Sequence, residues 1–384
     1  MADELVLSLT EARRLAVRAQ HLAGPAPDGM RQVLRGLRVL QMDPVNVVAR
    51  NQLLVLWSRL GGFDRADLDT LLWRERWLFE YWAHSASIVL TDDYPIHQLL
   101  MRQYRVMAES TVKQAWLVAN DDFRRYVLDL LADSGPLPGE AIEDRAAVGW
   151  VSTGWTHGRN VDQMLDILWK QGHIMVAGRD GLRRLWGLAD FAAAEELPQA
   201  EIVARAAEHS VRALGVARAR DVERHFTMGR YPGLDLERAR WARPVRVEGG
   251  TEQWWAHRDA LGRLDEEWAP RTTLLSPFDN LICDRDRTER LWGFVYRNEM
   301  YVQKAKRQYG YYVMPVLAGE QLAGRVATRV DRKNGVLMVE GMYAEPGAPP
   351  DPGLPAVLES LASFAGAGAV SHASQERSAY PELG

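Results

Sequence analysis

Gln41 and Asp43 stand two residues apart in the stretch 38–46, with the apolar Met42 between them. If the chain is extended there, successive side chains alternate and the amide and carboxylate point to one side. Such a pair can hold a water and face a developing positive charge. This is the arrangement needed to hydrolyse a glycosidic bond through an oxocarbenium-like state. Pro44 supplies a second reading. Asp-Pro commonly opens a helix, with Asp as the cap and Pro at the first helical position. Spacing alone leaves both readings open.

Other residues could bind rather than react. His84 follows an aromatic run and precedes Ser85 and Ser87, without an Asp/Ser arrangement that would make a nucleophilic triad. His157 and Arg159 lie in a Gly-rich turn before an apolar-faced helix. Residues 297–312 interleave Lys304, Lys306 and Arg307 with Tyr309 and further tyrosines. That pattern suits contact with phosphates and bases. It equally suits a barrel loop with solvated cations and core tyrosines.

The elements that must position these residues can be read in outline. The chain has 384 residues, 47% of them hydrophobic, enough for several compact units. The N-terminus is acidic and no apolar run approaches a membrane span, so a cytoplasmic protein is expected. Cys283 is the sole cysteine, which excludes a disulfide framework. A net charge of -4 argues against nonspecific nucleic-acid coating but permits a local basic face. The cations are mostly arginine, which suits phosphate but also follows from a GC-rich genome.

Helices are predicted over 8–22 and 30–38, and from Pro44 to about residue 60, the last leaving Arg50 and Arg59 on a face away from its apolar stripe. Residues 123–188 read as helix, turn, helix and two-stranded wing, with Arg179, Arg183 and Arg184 charging the wing. Residues 199–257 repeat that scheme more loosely. From 271 onward, short alternating segments, including 291–296, suggest a small antiparallel barrel. The expected fold class is α+β: tandem winged-helix domains and a C-terminal antiparallel β-barrel. The boundaries are 1–117, 118–198 and 199–268 for winged-helix units, the first carrying Gln41 and Asp43. The barrel follows at 269–345, and a linker, helix and tail at 346–384.

Several separated pieces then combine. They are residues 40–43 with Asn46 and Arg50, residues 81–84, residues 274–279, residues 284–287, and Lys304, Lys306, Arg307 and 309–312. Together they resemble the bacterial winged-helix DNA glycosylases that unhook interstrand crosslinks, the AlkZ/YcaQ-type family. Gln41-Met42-Asp43 resembles the Gln-x-Asp branch (YcaQ-like, also called AlkX). The resemblance implies a concave arrangement of the winged helices. It implies a monofunctional glycosylase that releases N7-alkylated purines, crosslinked ones included, in base excision repair, with no cofactor and no metal. Gln41 and Asp43 would be catalytic. Asn46, Arg50, His84, His157, Arg159, Lys304, Lys306, Arg307 and Tyr309 would meet double-stranded DNA bearing the damage. No heptad segment for dimerisation is visible, so a monomer is expected. The competing expectation is a non-enzymatic winged-helix transcriptional regulator, for which Asp43 is only a helix cap.

Overall fold

Ser8 and Glu11 start the first helix, Leu9–Ala19, with a reciprocal capping box in the computed structural model of the chain. The Ser8 hydroxyl accepts from the Glu11 N–H at 3.2 Å, and the Glu11 carboxylate accepts from the Ser8 N–H at 2.7 Å. The structure describes residues 5–83, 85–108, 112–151, 159–191, 197–226, 231, 233–348 and 351–373. Two compact units divide the chain. One comprises Met1–Leu68, Ala207–Arg230 and Leu234–Gly384; the other comprises Asp69–Ala206 and Tyr231–Gly233. The fold is mixed α+β. No helix among the described residues is long and apolar enough to cross a membrane.

In the first unit, strand Leu5–Leu7 runs parallel to Ala242–Val247, which pairs antiparallel with Gln253–His257, and that strand pairs with Val216–Ala217. The hairpin 242–257 is the pair of strands expected of a wing. Leu15 and Ala16 lie so close to Gly215 that a Cβ there would sit 2.4 Å from the Leu15 carbonyl oxygen. Gly215 also has φ +76°, so both space and backbone require glycine.

A second sheet of this unit orders Thr272–Leu274, Val313–Ala318, Gln321–Asp331, Val336–Ala344 and Ala369–His372. Register shifts at Val316/Leu317 and Ala327/Thr328 add twist and curl it. It departs from the expected barrel in two ways. The strand order is open, and its last pair is parallel. A parallel neighbour needs a crossover, which helix Leu354–Phe364 supplies. The expected strand at 291–296 is also replaced: helix Arg285–Trp292 occupies its start, capped by the Asp284 carboxylate on the Arg287 N–H.

The helix expected from Pro44 begins only at Asn51 and runs to Leu60. Pro44 disfavours helical backbone at Asp43, and the residues after it are claimed from elsewhere. The Val330 N–H donates to the Val47 carbonyl at 3.0 Å. The Arg332 guanidinium donates to the carbonyls of Asn46 and Val48 at 3.1 and 3.2 Å and to the Asn46 side chain at 3.1 Å. These bonds keep the stretch out of the helix until Arg50, which precedes it with extended φ -66° and ψ 150°.

In the second unit, helices Asp121–Ser134 and Asn160–Lys170 precede the hairpin Ile174–Asp180 and Arg183–Leu188, to which Leu137–Pro138 adds a short third strand. Met164, Leu165, Leu168 and Trp169 form the buried face that their spacing predicts. The arginines of this hairpin do not all face water. Glu80, on strand Leu78–Trp82, is almost wholly buried and accepts from Arg179 Nη2 at 2.8 Å, with Arg184 at 3.5 Å. A buried carboxylate needs such partners, so two of the three expected surface charges are turned inward. Arg183 stays outside, paired with Asp180.

Candidate active site

Gln41 closes the short strand Val39–Gln41, and two side-chain amides hold that strand from opposite ends. Asn280 Nδ2 donates to the Val39 carbonyl at 2.6 Å, and Asn51 Nδ2 donates to the Gln41 carbonyl at 2.6 Å. Asn51 Oδ1 in turn accepts from the Ser276 hydroxyl at 2.5 Å. Ser276 lies close to the buried phenol of Tyr312, which is also in the field of Asp43. Burial pushes the Tyr312 phenol far above its ordinary pKa, and it stays protonated.

Asp43 itself is half-buried. Its Oδ1 accepts from the Val45 N–H at 2.9 Å, a local turn of the kind aspartate makes before proline. The helix-cap reading is therefore corrected. Asp43 caps no helix, and no helix dipole holds it ionised. Burial raises its pKa, and the Val45 N–H only partly opposes this. The result is a more basic carboxylate than a solvated one, fixed in direction by one backbone bond.

The turn that carries Ser276 and Asn280 is anchored from beneath. Asp279 and Arg59 are both fully buried and make a two-pronged ion pair at 2.7 and 3.0 Å. Arg59 also donates to the Gln20 carbonyl at 2.9 Å and its amide oxygen at 3.0 Å, and Asp279 accepts from the Leu281 N–H at 2.9 Å. Arg59 is thus an internal tie and not a surface cation. Residues 276–280, far away in sequence, hold the strand Val39–Gln41, Asn280 directly at Val39 and Ser276 through Asn51 at Gln41.

Replacing Asn51 with alanine removes the Gln41 support and orphans the Ser276 hydroxyl. An unsatisfied buried polar group costs about 1–3 kcal/mol. Asn51→Ala is expected to lose stability on that scale in urea denaturation. A misplaced Gln41 should also slow any chemistry at this site by roughly tenfold to a hundredfold in single turnovers.

The expected binding residues fall into distinct groups. Asn46 is exposed and held by Arg332; Arg50 is half-buried at the start of its helix. Lys304 and Lys306 are exposed on a single turn, Lys304–Lys306. Arg307 and Tyr309 are engaged internally. Arg307 Nε donates to the carbonyls of Glu299 and Val302 at 3.1 and 2.9 Å. The Tyr309 ring packs edge-on against Tyr343 at 5.1 Å, with Arg325 4.5 Å above it. In the second unit, Arg159 precedes helix Asn160–Lys170, 3.9 Å from Asp162. His84 and His157 lie outside the described residues. No group of three or more His, Cys, Asp or Glu among the described residues is placed to hold a metal ion.

Sequence reading missed Asn51, Asn280 and Arg332. Each acts through a backbone carbonyl or through another side chain, so residue type gave no signal of its role.

A sequence model described as DNA glycosylase AlkZ-like matches residues 34–365. Among solved structures, the DNA glycosylase AlkZ of Streptomyces sahachiroi aligns with a TM-score of 0.66 at 16% identity, covering 96% of this chain and 100% of that one. At this identity the structural likeness shows the shared fold alone. The family match spans most of the chain and includes the Gln41 strand, Asp43, Asp279 and Tyr312. The chain belongs to the AlkZ-like DNA glycosylase family.

Proposed function

We propose that this protein hydrolyses the N-glycosidic bond of N7-alkylated purines in double-stranded DNA, crosslinked purines included, as a monofunctional glycosylase of the Gln-x-Asp branch. The observation that carries the reading is Asp43: a half-buried carboxylate, raised in basicity, beside Gln41 on a strand braced by Asn51 and Asn280. Alkylation at N7 makes the purine a cationic leaving group, so little acid catalysis is needed at the base. What remains is to stabilise positive charge at C1′ and to deliver water. Asp43 opposes the charge and takes the water's proton, while the Gln41 amide orients that water. The new bond joins the water oxygen to C1′, and the departing purine keeps the electrons of the broken bond.

On this reading, residues 1–117, 118–198 and 199–268 are winged-helix domains and 269–345 the sheet domain. Asn46, Arg50, His84, His157, Arg159, Lys304 and Lys306 meet DNA, and Arg307 and Tyr309, engaged internally, brace the loop that presents the two lysines. The protein acts as a monomer in the cytoplasm, at the nucleoid. The helix–helix–hairpin order of 121–188 supports the second of these domains.

Incubation with N7-methylated, crosslinked and undamaged duplexes tests the reading. Alkali-labile abasic sites should appear with the first two only, with free modified base from the methylated duplex and, from the crosslinked one, separable strands of which one still carries the adduct. Their absence with both would reject it and leave a DNA-binding regulator as the alternative. Lys304 makes its own prediction. Lys304→Ala removes one phosphate contact, so the slope of log affinity against log salt should fall by about one unit. A titration series between low and physiological salt reads that slope directly.

A further inference from the structure

Segment 297–312 carries four cationic side chains, Arg297, Lys304, Lys306 and Arg307, and one carboxylate, Glu299. That carboxylate neutralises none of them. Its two oxygens accept from the backbone N–H groups of Gln308, Tyr309 and Gly310 at 2.9, 2.9 and 3.0 Å. Arg307 is turned inward onto two carbonyls and the Tyr311 ring. Arg297, Lys304 and Lys306 remain exposed, with no carboxylate in ion-pair range among the described residues. Elsewhere exposed arginines such as Arg125, Arg212 and Arg290 each have an acidic partner. In a protein of net negative charge, an unpaired cationic cluster marks a place for an external anion.

Tyr301 lies between Arg297 and the two lysines along the chain. It is 79% exposed, at the end of the turn Glu299–Tyr301. Neither its ring nor its hydroxyl has a partner among the described residues. Its backbone, in contrast, is braced. The Asn298 side chain accepts from the Met300 N–H at 3.2 Å, and Met300 is buried in one core with Val48, Ala49 and Tyr312. Arg307 ties down the carbonyls on both sides of Tyr301. Tyr309 and Tyr312 are packed inside, and Tyr311, though 39% exposed, has Arg307 4.8 Å over its ring, so the uncovered ring this segment offers outward is Tyr301.

We propose that Tyr301, flanked by Arg297, Lys304 and Lys306, is a stacking subsite for an unstacked nucleobase and its neighbouring phosphates. The proposal rests on the DNA-binding reading above and adds its base-contacting residue. A rigidly presented ring within a cationic surround is how proteins hold an unpaired base without reading its sequence. The ring gains a face-to-face contact that water does not provide, and the lysines fix the backbone beside it.

The test uses the full chain and a duplex with 2-aminopurine opposite a tetrahydrofuran abasic site. The wild type should bind and quench the 2-aminopurine emission as the base stacks. Tyr301→Ala should lose the quenching and bind about tenfold more weakly, which is within the range of one base–aromatic stack. Its salt slope should be unchanged, because no charge is removed. Tyr301→Phe should retain both quenching and affinity. Equal quenching and affinity in wild type and Tyr301→Ala would overturn the proposal. Wild type that binds no duplex would overturn it together with the DNA-binding reading. If wild type binds and quenches but releases no alkylated base, the glycosylase reading falls while this subsite stands.

Discussion

Asp43→Asn should reduce single-turnover release of N7-methylguanine by about 10²- to 10⁴-fold, the range typical of removing a general base. Affinity for the same duplex should be unchanged. The substitution is chosen for what it preserves. An asparagine oxygen can still accept from the Val45 N–H, so the turn is kept and only charge and basicity are lost. Residual release is expected because the alkylated purine already leaves as a neutral base. The folded protein should be no less stable, and the sign follows from the pKa direction. Burial raises the Asp43 pKa, so ionising it in place costs more than ionising it in the unfolded chain. That cost is absent at low pH, where both states are protonated. It grows as pH rises past the ordinary aspartate range and is complete above the folded-state pKa. Asparagine removes it, so the Tm at neutral pH should be equal or higher. The same shift sets the pH profile of the wild type. Catalysis needs the ionised form, so the acid limb of the rate, after subtraction of spontaneous depurination, should have its midpoint above the usual aspartate value. An acid limb at or below that value, or an active Asp43→Asn, would remove Asp43 from the role of base.

How far the sequence reaches is visible at this same motif. Gln41 and Asp43 are legible as candidates because the chemistry lies in the residue types themselves. The helix expected at Pro44 is not, because what prevents it comes from Val330 and Arg332, some 286 residues away for the Asn46 contact. The same physics explains Arg59. Its spacing off the apolar stripe reads as a surface position, yet Asp279, 220 residues distant, draws it into the interior. Arg179 repeats the lesson, with Glu80 99 residues away. Local patterns found the helices Leu9–Ala19, Gly29–Leu37 and Asn160–Lys170, whose buried faces follow from period alone. They failed where a charge meets its partner across the fold, since nothing in period or propensity encodes that distance. The open end of the C-terminal sheet is a failure of the same kind. Alternation identifies strands, but closure depends on which strand lies beside the last, and here it is Ala369–His372 in parallel.

The largest stability effect is expected at that hidden pair. Asp279→Ala leaves the Arg59 guanidinium charged in a fully buried site with only Gln20, Ser58 and backbone carbonyls to face it. Truncating one partner of a buried ion pair typically costs about 3–5 kcal/mol. An exposed pair such as Arg125 with Asp122 should cost well under 1 kcal/mol by the same measurement, roughly the median for surface pairs. Urea denaturation compares the two variants. Hydrogen exchange then locates the damage: amides in 39–60 and 274–292 should lose protection, while those in 160–188 of the other compact unit should keep it. The cost arises from uncompensated charge, not from loss of an inherently favourable contact. Arg59→Met combined with Asp279→Leu should therefore regain most of the lost stability, because apolar side chains of similar reach need no partner. The double variant should still release alkylated base poorly. Without Asp279 nothing accepts from the Leu281 N–H, so the turn that aims Ser276 at Asn51 and Asn280 at Val39 loses its anchor. A double variant as unstable as Asp279→Ala alone would place the cost in that turn's geometry and not in the buried charge. A stable double variant with full activity would show that Ser276 and Asn280 hold the motif strand without help from beneath.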